Sequence, residues 1–225
     1  MRCGVFAGIA GLCLSVAGHA ARAQDQTRVN LAPDAKGGRG GVAMLAQAMD
    51  LYGLGQGQKD ALTVLAAARL VGAVSLRMVT QKKTPEIATV AGAALPVQAG
   101  AMFAEARKLA GEDETLVGLI EGAEAEVAFG PLGVARVSPS TLASGGVDLW
   151  EIPLFGASYA ELAVLGDGRS NLDVTVTDQN GNTVCLDVGA TDRVFCDFTP
   201  AWNGYFTVRV ENAGDGDNSY HLLTN

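Results

Sequence analysis

The sequence has few of the residue types on which common functional sites depend. Its 225 residues include two histidines, four cysteines and 6% aromatic side chains, and Lys plus Arg number 16 against 24 Asp plus Glu. Only His221 remains if the N-terminal segment that contains His19 is removed, which excludes zinc sites built on two histidines, such as H-E-x-x-H. The formal net charge of −8 argues against nucleic acid and anionic membrane surfaces as partners.

The first 23 residues have the three-part layout of a secretory signal peptide. Arg2 precedes a mostly apolar run from Cys3 to about Ala17, and Ala21-Arg22-Ala23 gives an A-x-A cleavage pattern. The run is shorter than the roughly 20 apolar residues that span a bilayer, and no later segment is long and apolar enough to do so. We therefore predict a signal peptide over 1–23 and a periplasmic or secreted protein without a transmembrane segment. A lipoprotein with Cys13 as the lipidated residue is the alternative, although Leu12 stands where a small residue is required.

Cleavage after Ala23 leaves two cysteines, Cys185 and Cys196, and a formal net charge of −10. Two cysteines in an oxidising compartment most simply form one disulfide. Two unpaired buried thiols are the alternative.

The first half of the mature chain has helical periodicity. Leu45, Met49 and Tyr52 recur on one face of a first helix, which we expect to end at Gly53. Asp60 is a candidate N-cap for a second helix, and Gly111 is expected to end a third. A fourth helix begins near Glu112–Glu114, where acidic side chains suit the positive end of the helix. The pattern predicts two helical hairpins over 38–128, joined by a loop over 81–100 and preceded by a flexible segment over 24–37.

The pattern changes to period two after Gly130-Pro131. Leu172, Val174 and Val176 share one face of a strand, and Phe206, Val208 and Val210 share one face of another. Clusters of Gly, Asn, Asp and Pro separate such segments. Several short alternating strands predict an antiparallel β-sandwich over 132–225. The fold class is therefore α+β, with two units.

The stretch Asn171–Val184, NLDVTVTDQNGNTV, poses a choice between a calcium loop and a hairpin turn. A helix–loop–helix calcium site that began at Asp178 would need a bidentate Glu at its twelfth position, which is Gly189. Asp178 can instead bond back to the turn backbone, and Gly181 can take the left-handed conformation. We predict a turn.

This stretch and the segment DFTPAWNGYFTVRVENAGDGDNSYHLLT resemble the bacterial pre-peptidase C-terminal (PPC) domain over about residues 145–225. The matching positions are Asp173, the Asp178–Gly181 turn, Phe198 with Pro200, and Gly204 with the alternating residues that follow. The resemblance implies a jelly-roll-like β-sandwich with an accessory role. Some members of that family bind calcium, and the carboxylates available here are Asp167, Asp173, Asp187, Asp192, Asp215 and Asp217. The sequence does not show that they converge, so no metal site or cofactor is predicted.

Other candidate sites have simpler structural interpretations. Ser158 lies in GASYA, a partial G-x-S-x-G that lacks the strand–turn–helix context of a catalytic serine, and His221 lies in a predicted strand. The segments KGGRGG and GLGQGQK lack complete nucleotide-binding signatures and are predicted linkers. Trp150 and Trp202 could bind sugar if exposed, but packing in the sandwich is the simpler role.

We predict no catalytic residues and expect an exported, non-catalytic binding or structural module of the cell envelope, with an unknown protein or glycan partner. Two alternatives stay open. One is a hydrolase with a carboxylate-only site, such as a glycosidase. The other is an accessory protein for secreted peptidases, which the PPC resemblance implies.

Overall fold

The computed structural model describes residues 28–33, 35, 37–84, 98–127 and 132–225. The predicted signal peptide therefore lies outside the described residues. The helices are α1 (Gly41–Gln58), α2 (Ala61–Gly72), α3 (Ala99–Ala110) and α4 (Glu114–Val127). The strands are β1 (Val74–Met78), β2 (Lys82–Thr84), β3 (Gly133–Leu142), β4 (Val147–Leu154), β5 (Ala160–Leu165), β6 (Leu172–Thr177), β7 (Thr183–Asp187), β8 (Arg193–Phe198), β9 (Gly204–Asn212) and β10 (Asn218–Thr224). None of the helices within these ranges combines the length and apolar character that crossing a membrane requires.

Helix boundaries follow the predicted caps in three of four cases. The Asp60 carboxylate accepts a hydrogen bond from the Leu62 N–H at 3.0 Å at the start of α2. Gly111 ends α3 with a positive φ of 59°. Asp113 accepts the Thr115 N–H at 3.0 Å before α4.

The expected end of α1 at Gly53 is wrong, and GLGQGQK is not a linker. The helix continues through this stretch to Gln58 and ends at Lys59, which has a φ of 55°. A Cβ on Gly55 would lie 2.9 Å from the backbone nitrogen of Val64 in α2. This glycine therefore allows two helices to approach closely and does not end one of them.

The ten strands form two five-stranded sheets that pack face to face. Sheet A has the order β1-β3-β10-β5-β8, and sheet B has the order β2-β4-β9-β6-β7. The pair β1–β3 is parallel, and the other pairs formed by the described strands are antiparallel. The α+β class with a β-sandwich is thus confirmed.

Strands β1 and β2 were not predicted, because both lie inside the region assigned to helices and their connecting loop. β1 adds an edge to sheet A beside β3, and β2 adds an edge to sheet B beside β4. The loop predicted over 81–100 therefore begins with a strand, and its residues 85–97 lie outside the described residues. The helical region thus supplies one strand to each sheet.

The molecule has three layers, with sheet A in the middle. One core lies between the helices and sheet A, and includes Val64, Phe103 and Ile120 with Val137 and Leu223. The other core lies between the two sheets and includes Trp150, Phe206 and Tyr220. All six residues of β5 are buried, because both faces of the strand are covered. Its sequence AELAVL consequently lacks the alternation seen in the strands of sheet B.

The two sheets are connected to each other at both edges of the sandwich. The disulfide expected between Cys185 and Cys196 is present and joins β7 of sheet B to β8 of sheet A. On the opposite side, residues 79–81 link the edge strands β1 and β2, so one short connection passes from sheet A to sheet B.

The segment 24–37, predicted to be flexible, makes specific contacts in its described part. Asn30 is fully buried, and its N–H donates to Asp178 Oδ2 at 2.8 Å. The Asn30 side chain bonds both the N–H and the carbonyl of Trp202, each at 3.0 Å. Ala32 N donates to the carbonyl of Thr199 at 2.8 Å. These residues therefore form part of the packed structure.

Candidate functional site

The hydrogen bonds of Asp178 decide between a calcium loop and a hairpin turn. One carboxylate oxygen, Oδ1, accepts the N–H groups of Asn180 and Asn182, each at 2.9 Å, and the other accepts Asn30 N–H. Gly181 has a φ of 84° and donates to the Asp178 carbonyl at 3.0 Å. The predicted turn is confirmed, and its aspartate also holds the N-terminal segment. Burial raises the pKa of Asp178, but the hydrogen bonds from Asn182, Asn30 and Asn180 together lower it below its ordinary value.

Four of the six carboxylates considered as calcium ligands have structural hydrogen bonds or ion pairs. Asp192 is buried and accepts from Gly168 N at 2.5 Å and from the Asn218 amide at 3.1 Å. Asp167 pairs with Arg169, and Asp187 accepts from Gly189 N at 3.0 Å. Asp173 accepts from Asn171, and the side chains of Asp215 and Asp217 are exposed. Within the described ranges, no three His, Cys, Asp or Glu side chains form a group that could hold a metal ion.

Ser158 and His221 are not brought together. Ser158 is exposed in the turn before β5, whereas His221 is buried in β10 and pairs in register with Leu165 at the far end of β5. The length of a six-residue strand, roughly 17 Å, therefore separates them. This arrangement does not form a catalytic pair.

The two tryptophans do not form an exposed surface. Trp150 is 3% exposed and donates through Nε1 to the hydroxyl of Tyr220 at 2.8 Å. Trp202 is half-buried and holds Asn30 through its backbone. Trp150 therefore has the packing role that was the simpler expectation.

Among the described residues, the exposed aromatic side chains are Phe155 and Tyr205, at one end of the sandwich. Phe155 follows β4 and is 71% exposed, and Tyr205 in β9 is 59% exposed. Tyr205 is the register partner of Pro153. All three line an open groove of about 470 Å³. The connection between β1 and β2 also lines it, with Val79, Thr80 and Gln81. We call this feature the aromatic groove.

Polar side chains of both signs border the aromatic groove. Lys82 Nζ lies 3.2 Å from each oxygen of Glu151. Arg136 donates to the backbone carbonyl of Asn225. Glu151 is the one carboxylate side chain among the described residues that line the groove. The groove therefore offers two aromatic rings and several hydrogen-bonding groups to a ligand, and the described residues that line it do not include a pair of carboxylate side chains.

A second polar feature, the Asp148 cluster, lies between the sheets and consists of Lys83, Ser140, Asp148, Trp150 and Tyr220. Asp148 Oδ2 accepts the hydroxyls of Ser140 and Tyr220, each at 2.6 Å. Lys83 Nζ lies 2.7 Å from Ser140 Oγ, 3.4 Å from Asp148 Oδ2 and 5.4 Å from the ring centre of Trp150. Burial and the neighbouring Asp148 raise the pKa of Tyr220 well above its ordinary range, so the phenol keeps its proton.

Sequence reasoning found neither the aromatic groove nor the Asp148 cluster. Phe155 and Tyr205 are single aromatic residues without a motif around them, and their proximity depends on the pairing of β4 with β9. Lys83 stands in a short polar run that has no strand signature. The only available signal was an acidic residue, Asp148, at an inward position of the alternating segment VDLW, where an apolar side chain is expected.

Comparison with known proteins identifies no family for this chain. No protein-family model and no curated protein matches it. Among solved structures, the pre-peptidase C-terminal domain of a Bacillus anthracis collagenase has 16% identity and a TM-score of 0.33, over 40% of this chain and 87% of that one. A periplasmic inhibitor of g-type lysozyme from Aeromonas hydrophila has 10% identity and a TM-score of 0.30, over 40% and 84%. Similarity at this level carries no information about function.

Proposed function

We propose that this protein is an exported, non-catalytic module of the cell envelope that binds a glycan in the aromatic groove. The observation that carries the proposal is the exposure of Phe155 and Tyr205 on the wall of one groove. Large aromatic side chains are ordinarily buried, and an exposed pair in a concave surface is typical of a binding site.

The chemistry of the aromatic groove fits a carbohydrate chain. Sugar rings present C–H faces, which pack on aromatic rings, and hydroxyl groups, which require donors and acceptors at their edges. Phe155 and Tyr205 supply the rings, and Lys82, Glu151 and Gln81 lie among the residues that could supply the hydrogen bonds. An amphipathic ligand of this kind is common in the envelope, where the predicted signal peptide would direct the protein.

Binding is favoured over glycoside hydrolysis because the described residues lining the aromatic groove include one carboxylate side chain and not two. Hydrolysis ordinarily uses two carboxyl groups, about 5–10 Å apart, on either side of the scissile bond. Among the described residues lining the groove, only Glu151 has a carboxylate side chain, and Lys82 is paired with it.

The test is co-sedimentation of the purified chain, without residues 1–23, with peptidoglycan sacculi, followed by titration with soluble peptidoglycan oligosaccharides. Phe155→Ala and Tyr205→Ala should each weaken binding roughly tenfold, the equivalent of about 1.4 kcal/mol. Leu186→Ala is the matched control, because Leu186 in β7 is also 59% exposed and lies away from the groove. Equal binding by all variants would contradict the proposed site, and release of new reducing ends would favour the hydrolase.

A further inference from the structure

The hydrogen bonds around Asp148 are distributed unequally between its two oxygens. Oδ2 is contacted by the hydroxyls of Ser140 and Tyr220 and by the Lys83 ammonium group. Oδ1 is buried, and no described residue donates to it. A buried carboxylate oxygen without a donor carries a large desolvation cost, so this geometry is poor for a permanent ion pair.

The same distribution suits the carboxyl group of an amide-forming reaction. An amide retains one oxygen and loses the other as water. The oxygen that remains is the one held by two O–H donors, as an oxyanion is held during acyl transfer. The oxygen without a donor can leave.

We propose that Lys83 and Asp148 react after folding to form an intramolecular amide bond between β2 and β4. The ammonium group first passes a proton to the carboxylate, which gives a neutral amine and a neutral acid. The amine nitrogen attacks Cγ of Asp148, and the former carbonyl electrons move to Oδ2. Collapse of this intermediate restores the Cγ–Oδ2 double bond and breaks the Cγ–Oδ1 bond. Oδ1 leaves as water with the proton of the acid and a second proton from the attacking Lys83 nitrogen, which keeps one N–H in the amide. Ammonium plus carboxylate thus becomes amide plus water, and no other reactant is needed.

The environment of the pair favours the reaction. Lys83 is 8% exposed and Asp148 is fully buried, so the two reacting groups are shielded from bulk water. Register pairing of Lys83 with Trp150 holds the amine next to the strand that carries Asp148. Fixing two reactants in contact replaces a bimolecular encounter with an intramolecular step, which greatly raises the rate.

Neighbouring side chains orient the two groups. Trp150 Nε1 donates to the Tyr220 oxygen at 2.8 Å, which leaves the phenol proton directed at Asp148 Oδ2. Ser140 bridges the reactants, because its oxygen lies 2.7 Å from Lys83 Nζ and 2.6 Å from Asp148 Oδ2. Ser140 and Tyr220 are positioning residues for the reaction.

The test is the intact mass of the purified exported protein under non-reducing conditions, together with a tryptic peptide map. The expected mass is lower than that of the chain with its disulfide by the mass of one water molecule. The map should show the peptides that contain Lys83 and Asp148 joined, with no cleavage after Lys83. The Lys83→Arg variant should have the mass calculated for its own sequence with the disulfide and without loss of water, because a guanidinium does not form the amide. Lys82→Arg is the matched control and should still lack one water.

Two results would overturn the proposal. One is a wild-type mass that equals the mass of the chain with its disulfide alone. The other is a loss of water that the peptide map places elsewhere, for example in a cyclic imide, while Lys83 and Asp148 stay on separate peptides. Both measurements use the wild-type protein, so they do not depend on the variants folding. Neither depends on whether the aromatic groove binds a glycan.

Discussion

At the scale of single residues, the side chain of Asp178 stabilises both its own turn and the N-terminal segment that packs against it. Its carboxylate accepts three backbone N–H groups, from Asn30, Asn180 and Asn182. The sequence identified the turn, because an aspartate followed three residues later by glycine is a local signal. It did not identify the contact with Asn30, because that residue lies 148 positions away in the chain.

Substitution of Asp178 should therefore cost more than the loss of a local turn bond. We expect Asp178→Ala to lower the free energy of unfolding by about 2 kcal/mol or more, because it leaves the buried Asn30 N–H without its acceptor. The lowered pKa of Asp178 makes its contribution present above about pH 4, the unfolded value, and lost as the pH falls through the folded value. Urea unfolding at pH 7 and near pH 3 should show the difference from wild type shrinking at the lower pH.

Calcium provides the control for this prediction. The turn needs no metal, so neither calcium nor a chelator should change the melting temperature of wild type or Asp178→Ala. A calcium-dependent rise in the melting temperature of wild type that is absent in the variant would show a metal site instead.

Gly181→Val should lower the free energy of unfolding by about 1 kcal/mol or more because of the positive φ at this position, whereas Gly181→Asn should lower it less, since Asn tolerates that conformation.

At the scale of elements, patterns of period 3.6 predicted the four helices, and strong alternation predicted strands such as β6 and β9. Strands β1 and β2 were missed for physical reasons. β1 begins two residues after α2 ends, so its apolar residues continue the apolar run of that helix. β2 has three residues, KKT, and gains its strand conformation from pairing with β4, which no local pattern shows. Tertiary pairing determined both strands.

A buried carboxylate links α1 to sheet A. Glu161 in β5 is 1% exposed, and its oxygens accept Gly40 N–H at 2.5 Å and Ala43 N–H at 3.2 Å at the start of the helix. Gly40 provides no side-chain cap of its own. Glu161 therefore satisfies donors that the helix leaves open, and its charge faces the positive end of the helix dipole.

We expect Glu161→Gln to lower the free energy of unfolding by about 1–3 kcal/mol, because an amide replaces one acceptor oxygen with a donor facing an N–H group. Chemical denaturation followed by circular dichroism measures the change. Glu151→Gln is the matched control, since it removes an exposed ion pair with Lys82 and should cost less than about 1 kcal/mol. Equal effects of the two substitutions would show that Glu161 does not support the helix.

At the scale of the whole molecule, the helical region contributes strands to the sandwich, and its helices pack on one face of sheet A. The predicted boundary near residue 130 separates helices from most strands, yet β1 and β2 lie on its N-terminal side. The face of sheet A that contacts the helices carries Ala135, Val137, Ala163, Leu165 and Leu223, all buried. A sequence with alternating strands does not reveal that one of its two sheets is covered on both faces.

These contacts give a physical reason to expect that a fragment of residues 132–225 does not fold alone. It would expose the helix-facing side of sheet A to water, and it would leave Asp148 buried without Lys83, a change that costs about 3–5 kcal/mol in other buried pairs. Urea unfolding followed by the fluorescence of Trp150 and Trp202 should show no cooperative transition for this fragment. The chain of residues 28–225 is the matched control and should unfold cooperatively. If the fragment unfolds cooperatively at the same urea concentration as the control, the sandwich is self-contained and the helices are an appended unit.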